Sequence, residues 1–171
     1  MKPEVRAILD RVRDTADFGY VAFADVNDTN EFGDNALHCL AVWDDWESAK
    51  VLIAAGIRID QRGEHGYTPL HQAAAFGHTG FVKLLLDAGA DPFARTDGDQ
   101  PFTIARLCGQ EHICGLISKH VERLAPDPAI KRHEAHLRRM EEHIAKLEAR
   151  SRQENPERSL KSGNVPEFPQ A

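Results

Sequence analysis

The sequence lacks any apolar run that could cross a membrane. None of its 171 residues belongs to a stretch near the ~20 consecutive apolar residues that a membrane-spanning helix needs. The N-terminal stretch MKPEVRAILDRVRD is charged throughout and does not resemble a secretory signal. These absences predict a cytoplasmic protein without a membrane partner.

Cysteine is scarce and is not arranged for metal binding or catalysis. The chain has 3 cysteines, at positions 39, 108 and 114, an odd number without zinc-ligand spacing, which favours reduced thiols in a cytosol. His112 lies between Cys108 and Cys114, but no orienting acid or oxyanion-hole motif accompanies it. The HEAH run near the C-terminus is not HExxH, and phosphate-binding glycine loops are absent. We therefore predict no enzyme activity, no metal site and no cofactor.

Positive charge is missing from one part of the chain. The whole sequence carries 21 Lys+Arg and 27 Asp+Glu, a net charge of −6, which argues against nucleic acid as a partner. Residues 25–47 hold seven acids and no lysine or arginine. Such a surface either keeps the protein soluble or attracts a basic partner.

What the sequence does contain is a stretch that can fold as two short helices, GYTPLHQAAAFGHTGFVKLLLDAGADPFARTD at residues 66–97. Thr68 stands where a helix N-cap is expected, and Pro69 stands at the first helical position. Gly77 ends this helix, and Gly89 suits a left-handed residue after the second, apolar helix. One such pair cannot bury its own apolar surface, so copies of it must stack.

Weaker copies of this stretch lie on both sides of it. The run GDNALH begins 33 positions before GYTPLH, Gly56 lies 33 positions before Gly89, and GDQPF begins 32 positions after GYTPLH. This period and these motifs resemble the ankyrin-repeat family over roughly residues 24–118. The resemblance implies an all-α solenoid of about three helix-turn-helix repeats, in which His38 and His71 make structural hydrogen bonds.

The resemblance divides the chain into regions of different character. The terminal repeats depart from the family pattern, as expected for repeats with one side open to solvent. We predict a capping helix at Lys2–Thr15 with an irregular aromatic segment up to residue 24, repeats within 25–125 (about 25–57, 58–90 and 91–120), a charged helix within 126–150, and a disordered tail at 151–171.

Apolar residues recur at heptad spacing along the charged helix, Pro128–Arg150. The residues that follow this spacing are Ile130, Leu137, Met140, Ile144 and Leu147, with His133 at one seam position. The pattern lasts about three heptads, the minimum for a coiled coil. Three alternatives remain open: the helix pairs with a second chain as a homodimer through 128–150, folds back on the repeats, or stands alone.

The resemblance also implies where a partner binds. In ankyrin proteins the turn tips and the ends of the first helices line a concave face. In this chain those positions combine acids with aromatic residues, which is typical of a binding hot spot with a charged rim. An alternative is that the aromatics cover gaps between neighbouring tips. The predicted partner-binding residues are Glu31, Phe32, Asp34, Trp43, Glu64, His65, Tyr67, Phe76, Asp97 and Asp99.

These observations predict a non-catalytic protein–protein interaction module that binds a basic protein through an acidic-aromatic concave face. One alternative is a bacterial immunity protein or inhibitor that neutralises a toxin or an enzyme. Another is an oligomeric scaffold assembled through the C-terminal helix.

Overall fold

The computed structural model describes residues 1–96, 98–124, 135–146 and 149. These residues fall into two compact units, Met1–Leu124 and Ala125–Ala171. Within the described ranges the chain is helical, with no strand beyond one isolated bridge between Thr29 and Asn35. The predicted all-α class is confirmed. The predicted tail, 151–171, lies outside the described residues.

The described part of the first unit contains seven α-helices joined by turns. Two single turns of 3₁₀ helix, Ala16–Phe18 and Glu64–Gly66, lie in the connecting segments. The α-helices are α1 (Pro3–Arg13), α2 (Ala36–Trp43), α3 (Trp46–Ala54), α4 (Pro69–Phe76), α5 (Thr79–Asp87), α6 (Pro101–Leu107) and α7 (Glu111–Leu124).

The helices after α1 stack as three pairs in two layers. The first helices of the pairs, α2, α4 and α6, pack side by side in one layer, and α3, α5 and α7 form the other. α1 packs against both α2 and α3 and covers the open side of the first pair. The predicted repeat solenoid is therefore confirmed, and we call the α2–α4–α6 layer the inner layer.

The inner helices α2 and α4 each begin at an N-cap residue and end at a residue in the left-handed conformation. Thr68 caps α4 ahead of Pro69, and Asn35 caps α2 by accepting a hydrogen bond from the Leu37 N–H at 3.1 Å. The first repeat therefore keeps an N-cap, although Asn35 and Ala36 stand where the central repeat has Thr68 and Pro69. At the C-terminal ends, Gly77 after α4 and Asp44 after α2 both adopt left-handed conformations, with φ of 77° and 57°.

The segment between α1 and the first repeat is a packed aromatic turn. The buried rings of Phe18 and Phe23 stack with centroids 5.8 Å apart. Arg6 of α1 donates a hydrogen bond to the Phe23 carbonyl at 2.7 Å. Phe23 adopts φ of 47°, so this turn departs from the helical period that precedes it.

In the second unit, residues 135–146 are helical. Leu137 is half-buried, while Met140 and Ile144 are 49% and 39% exposed. These residues cover only the middle of the predicted helix Pro128–Arg150, so its full length and its heptad pairing stay predictions. Across all the described residues, no helix is both long and apolar enough to cross a bilayer.

Gly89→Val should destabilise the protein through backbone strain alone. Gly89 has φ of 92°, and a Cβ built there would meet nothing within 4 Å. We expect the free energy of unfolding to fall by about 1–2 kcal/mol in urea denaturation. Gly115→Ala is the matched control, since that site is equally open but helical, and it should gain roughly 0.5–1 kcal/mol. A loss at both positions would contradict the strain argument.

Candidate functional site

Two buried histidines tie the first two inner helices, α2 and α4, to the turn of the following repeat. In the first, His38 Nδ1 accepts from the Asn35 N–H at 3.2 Å, and its Nε2–H donates to the Tyr67 carbonyl at 3.1 Å. In the second, His71 Nδ1 accepts from the Thr68 N–H at 3.1 Å, and Nε2 lies 3.4 Å from the Asp99 carbonyl. Each imidazole therefore caps its own helix and positions the following turn tip.

Both imidazoles are held in the neutral form. Burial lowers the pKa of His38, and the nearby Asp34 carboxylate opposes this shift without reversing it. Burial likewise lowers the pKa of His71. A neutral ring fits the observed bonds, because one nitrogen must accept from an N–H while the other donates to a carbonyl.

Asp34 lies at a turn tip, but its carboxylate makes contacts within the fold. Its side chain is 16% exposed, and Oδ1 lies 3.6 Å from His38 Nε2. The same carboxylate accepts from the Glu64 N–H and from Asn30 Nδ2, both at 3.2 Å. A Cβ at Gly63 would overlap this carboxylate and lie 3.0 Å from His38 Nε2. Asp34 thus links the first tip to the second.

Four of the other predicted tip residues are exposed, and two are half-buried. Glu31, Phe32, Glu64 and His65 all lie at the surface. Tyr67 is half-buried with its ring 5.4 Å from that of His71, and burial raises the pKa of its hydroxyl. Asp99 is half-buried in the third turn, where its N–H donates to the Thr96 hydroxyl at 3.1 Å. Asp97 lies outside the described residues.

A large apolar side chain is exposed near the end of each inner helix. Trp43 on α2 is 41% exposed, Phe76 on α4 is 52% exposed, and Leu107 on α6 is 73% exposed. These three residues, together with Val42 at 40%, form what we call the apolar row. Because α2, α4 and α6 pack side by side, the row crosses all three repeats.

Neighbouring side chains hold the two aromatic members of the row in place. The Arg11 guanidinium lies 5.2 Å from the Trp43 ring centroid, and Arg11 also pairs with Asp45. The ring of Phe76 stacks on that of His78, with centroids 5.7 Å apart and planes 10° from parallel. The aromatic surfaces are therefore ordered while they remain open to solvent.

A shallow pocket of about 250 Å³ lies where the N-terminal turn meets the inner layer. Asp17, Asp34 and Trp43 line it together with Cys39 and Gln72. Burial, followed by the charge of Asp17, raises the pKa of the Cys39 thiol to about 12, so Cys39 contributes no charge. Asp17 could not be recognised from sequence, because it belongs to the aromatic turn whose packing has no periodic pattern.

Of the residues considered for catalysis, His112 and Cys114 take part in packing, while Cys108 is exposed. His112 Nε2 lies 3.1 Å from the Gly77 carbonyl and so joins α7 to the preceding repeat. Cys114 is buried, with Sγ 3.7 Å from the Phe102 carbonyl. Within the described ranges, no group of three or more His, Cys, Asp or Glu residues could hold a metal ion. The arrangement offers surfaces for contact.

Stacked helix pairs with capped inner helices and histidine-bridged turns define the class of repeat solenoids that bind through exposed side chains. The family model described as "Ankyrin repeats (3 copies)" matches residues 13–96. The chain belongs to the ankyrin-repeat family, whose repeats generally mediate protein–protein interactions. The α6–α7 pair follows the matched residues and continues the same packing.

Several curated proteins share these repeats. The chain is 38% identical over 87 residues to the tyrosine-protein kinase Shark of Drosophila melanogaster, covering 50% of this chain and 9% of that protein. It is 40% identical over 67 residues to protein phosphatase 1 regulatory subunit 27 of Mus musculus, covering 39% and 44%. Identity to the RelA-associated inhibitor of Mus musculus is 37% over 75 residues, covering 44% and 9%. The chain thus spans less than half of each of these relatives.

Removing the Asp34 carboxylate should weaken the fold, whereas removing a neighbouring acid should not. Asp34→Ala removes the acceptor of the Glu64 N–H and of the Asn30 amide, so we expect a loss of about 1 kcal/mol in the free energy of unfolding. Glu31→Ala, at an exposed tip position, should stay within about 0.5 kcal/mol. Equal urea midpoints for the two variants would contradict the structural role of Asp34.

Acid should destabilise the protein through the two buried histidines. Their pKa values are lowered in the folded state, so below about pH 6.5 the unfolded chain binds protons that the folded chain does not. The free energy of unfolding should therefore be highest above this pH and fall as the pH drops towards about 5. His71→Gln should flatten this dependence, while His65→Gln, at an exposed ring, should leave it intact. Identical slopes for wild type and His71→Gln would overturn this assignment.

Proposed function

We propose that this chain binds a basic protein through its inner layer and turn tips. The recognition face comprises the apolar row together with the tip residues Glu31, Phe32, Glu64, His65, Tyr67, Asp97 and Asp99. The observation that carries the proposal is the apolar row, which runs across three repeats beside exposed acids. Asp34 contributes to this face by holding its first two tips together.

The exposure of the row supports binding because it has no value for folding. Trp43 and Phe76 leave 41% and 52% of their surface in water although each repeat already has a buried core. Contiguous exposed apolar surface rimmed by polar groups marks interaction sites on soluble proteins. Aromatic side chains at the centre of an interface are the usual anchors of binding energy.

The charge of the face supports a basic partner. Glu31 and Glu64 are exposed, and residues 25–47 supply seven acids without a lysine or arginine. The pocket between Asp17, Asp34 and Trp43 suits a lysine or arginine side chain of the partner. Such a cation would lie close to the Asp17 and Asp34 carboxylates, which attract it, and beside the Trp43 ring that Arg11 also contacts.

The proposal includes a cytoplasmic location and no catalytic activity of its own. A narrower version is an immunity protein or inhibitor that covers the basic active site of a toxin or an enzyme. The names of two relatives, a phosphatase regulatory subunit and an inhibitor, support this version. A scaffold assembled through the C-terminal helix is the second candidate, supported by the apolar stripe of Leu137, Met140 and Ile144.

The two tryptophans allow a matched test of the recognition face. Trp43 and Trp46 are 41% and 38% exposed, but Trp46 begins α3 in the other layer and lies against Gly80. A protein captured from the native cell by the wild-type chain serves as the partner. Trp43→Ala should raise its dissociation rate by about thirtyfold at any salt concentration, whereas Trp46→Ala should have no effect.

A charge change at a tip should instead act on association. Glu64→Lys should slow the association rate most strongly at low salt, because attraction beyond about 8 Å is screened at physiological ionic strength. Glu122→Lys on α7 makes the same change of charge away from the face and is the control. Surface-binding kinetics across a salt series measure both rates. Binding that depends on Trp46 or Glu122 instead would place the partner on the opposite layer and refute the proposal.

A further inference from the structure

The helix at residues 135–146 carries an apolar stripe that is partly exposed to solvent. Leu137, Met140 and Ile144 are spaced by three and four residues, which corresponds to positions a, d and a of a heptad. Met140 and Ile144 are 49% and 39% exposed. A narrow stripe with this spacing is typical of the seam of a two-stranded coiled coil.

The charges beside the stripe have an unusual order. His136 and His143 occupy the g positions, and Glu141 occupies the e position between them. The sequence continues this order with a glutamate at position 148. The g positions on one side of the seam therefore carry histidines, and the e positions on the other side carry glutamates.

This order distinguishes the two ways in which a second copy can pair. In a parallel, in-register coiled coil, position g of one chain faces position e of the next heptad in the other, so His136 faces Glu141 of the second copy. In an antiparallel pair, g faces g and e faces e, which opposes His to His and Glu to Glu. Only the parallel arrangement brings opposite charges together.

We propose that residues 135–146 form a parallel, in-register coiled coil with the same segment of a second copy, and that acid tightens this pairing by charging His136 and His143. The apolar seam supplies the attraction at any pH. The two symmetric His136–Glu141 contacts become ion pairs only when the imidazoles are protonated, a change that histidine makes between about pH 5 and pH 8.

Cationic side chains lie one turn away from these histidines on the same helix. Arg139 lies one turn after His136 and one turn before His143, and its Nε donates to the Ala135 carbonyl at 3.0 Å. Lys146 lies one turn after His143, and Arg132 and His133 precede His136 in the sequence. In the pair, Glu141 of the second copy supplies the negative charge that offsets them.

Sedimentation equilibrium of the full chain, without any partner, tests the pairing. The dimer dissociation constant should be about threefold to tenfold lower near pH 6 than near pH 8, as expected for two to four exposed ion pairs. The double variant His136→Gln, His143→Gln should still dimerise but lose this pH response. Leu137→Glu should abolish dimerisation at both pH values while leaving the urea midpoint of the solenoid unchanged.

At pH 6 the chain is close to its isoelectric point of about 5.8, where a low net charge also favours association. His65→Gln is the matched control for this effect. His65 is 76% exposed on the solenoid, so its removal should leave the pH response of dimerisation unchanged. A chain that is monomeric at both pH values would overturn the proposal. A pH response that survives in the His136→Gln, His143→Gln variant would overturn the assignment to these histidines.

Cross-linking tests the orientation. In a Cys108→Ser background, Met140→Cys and Leu137→Cys should each form a disulfide-linked dimer under a mild oxidant. Glu142→Cys, on the outer side of the helix, should not. An antiparallel pair can bring together like residues at only one point along the seam, so cross-linking at one of the two positions alone would refute the parallel register. These results do not depend on the recognition face, so either proposal can fail without the other.

Discussion

The solenoid depends on one repeated interaction, a buried neutral imidazole that joins the cap of an inner helix to the turn of the following repeat. His38 and His71 each accept from their own cap N–H and reach a carbonyl in the next turn. Apolar packing between helix pairs is tolerant of small shifts, but a bond between two particular atoms is not. These bonds therefore fix where each turn tip lies relative to the next, and so fix the spacing of the side chains that a partner meets.

Much of this framework can be predicted from local sequence because its causes are local. Thr68 and Pro69 select a helix start, and Gly89 selects a left-handed end, through their own backbone preferences. Asp34 shows where such reasoning stops. By sequence it is one tip acid among several, and only the neighbouring turn, through Glu64 and Gly63, gives it a structural role. The aromatic turn of Phe18 and Phe23 is similar, since non-periodic packing leaves no pattern to recognise.

The two tryptophans show why exposure alone is not the basis for proposing a binding residue. Trp43 and Trp46 are exposed to nearly the same extent, and each has a cation beside its ring, Arg11 in one case and Lys50 in the other. They differ in their surroundings along the solenoid. Exposed apolar side chains near the ends of α4 and α6, Phe76 and Leu107, correspond to Trp43 in the next repeats, whereas Trp46 lies in the other layer near Gly80. A row across repeats offers a partner a continuous surface, and a single ring does not.

The close contact of Gly63 with Asp34 and His38 divides the first two tips into fixed and variable positions. A side chain at position 63 would displace the Asp34 carboxylate that bridges the repeats, so substitution of this glycine should weaken that bridge. Positions 31, 32 and 64 are exposed and carry no such restriction, whereas position 65 is exposed but adopts φ of 53°, a conformation that few residues other than glycine and asparagine favour. Natural variation or directed randomisation at positions 31, 32 and 64 can therefore change the surface of the proposed recognition face without disturbing the stacking of the repeats.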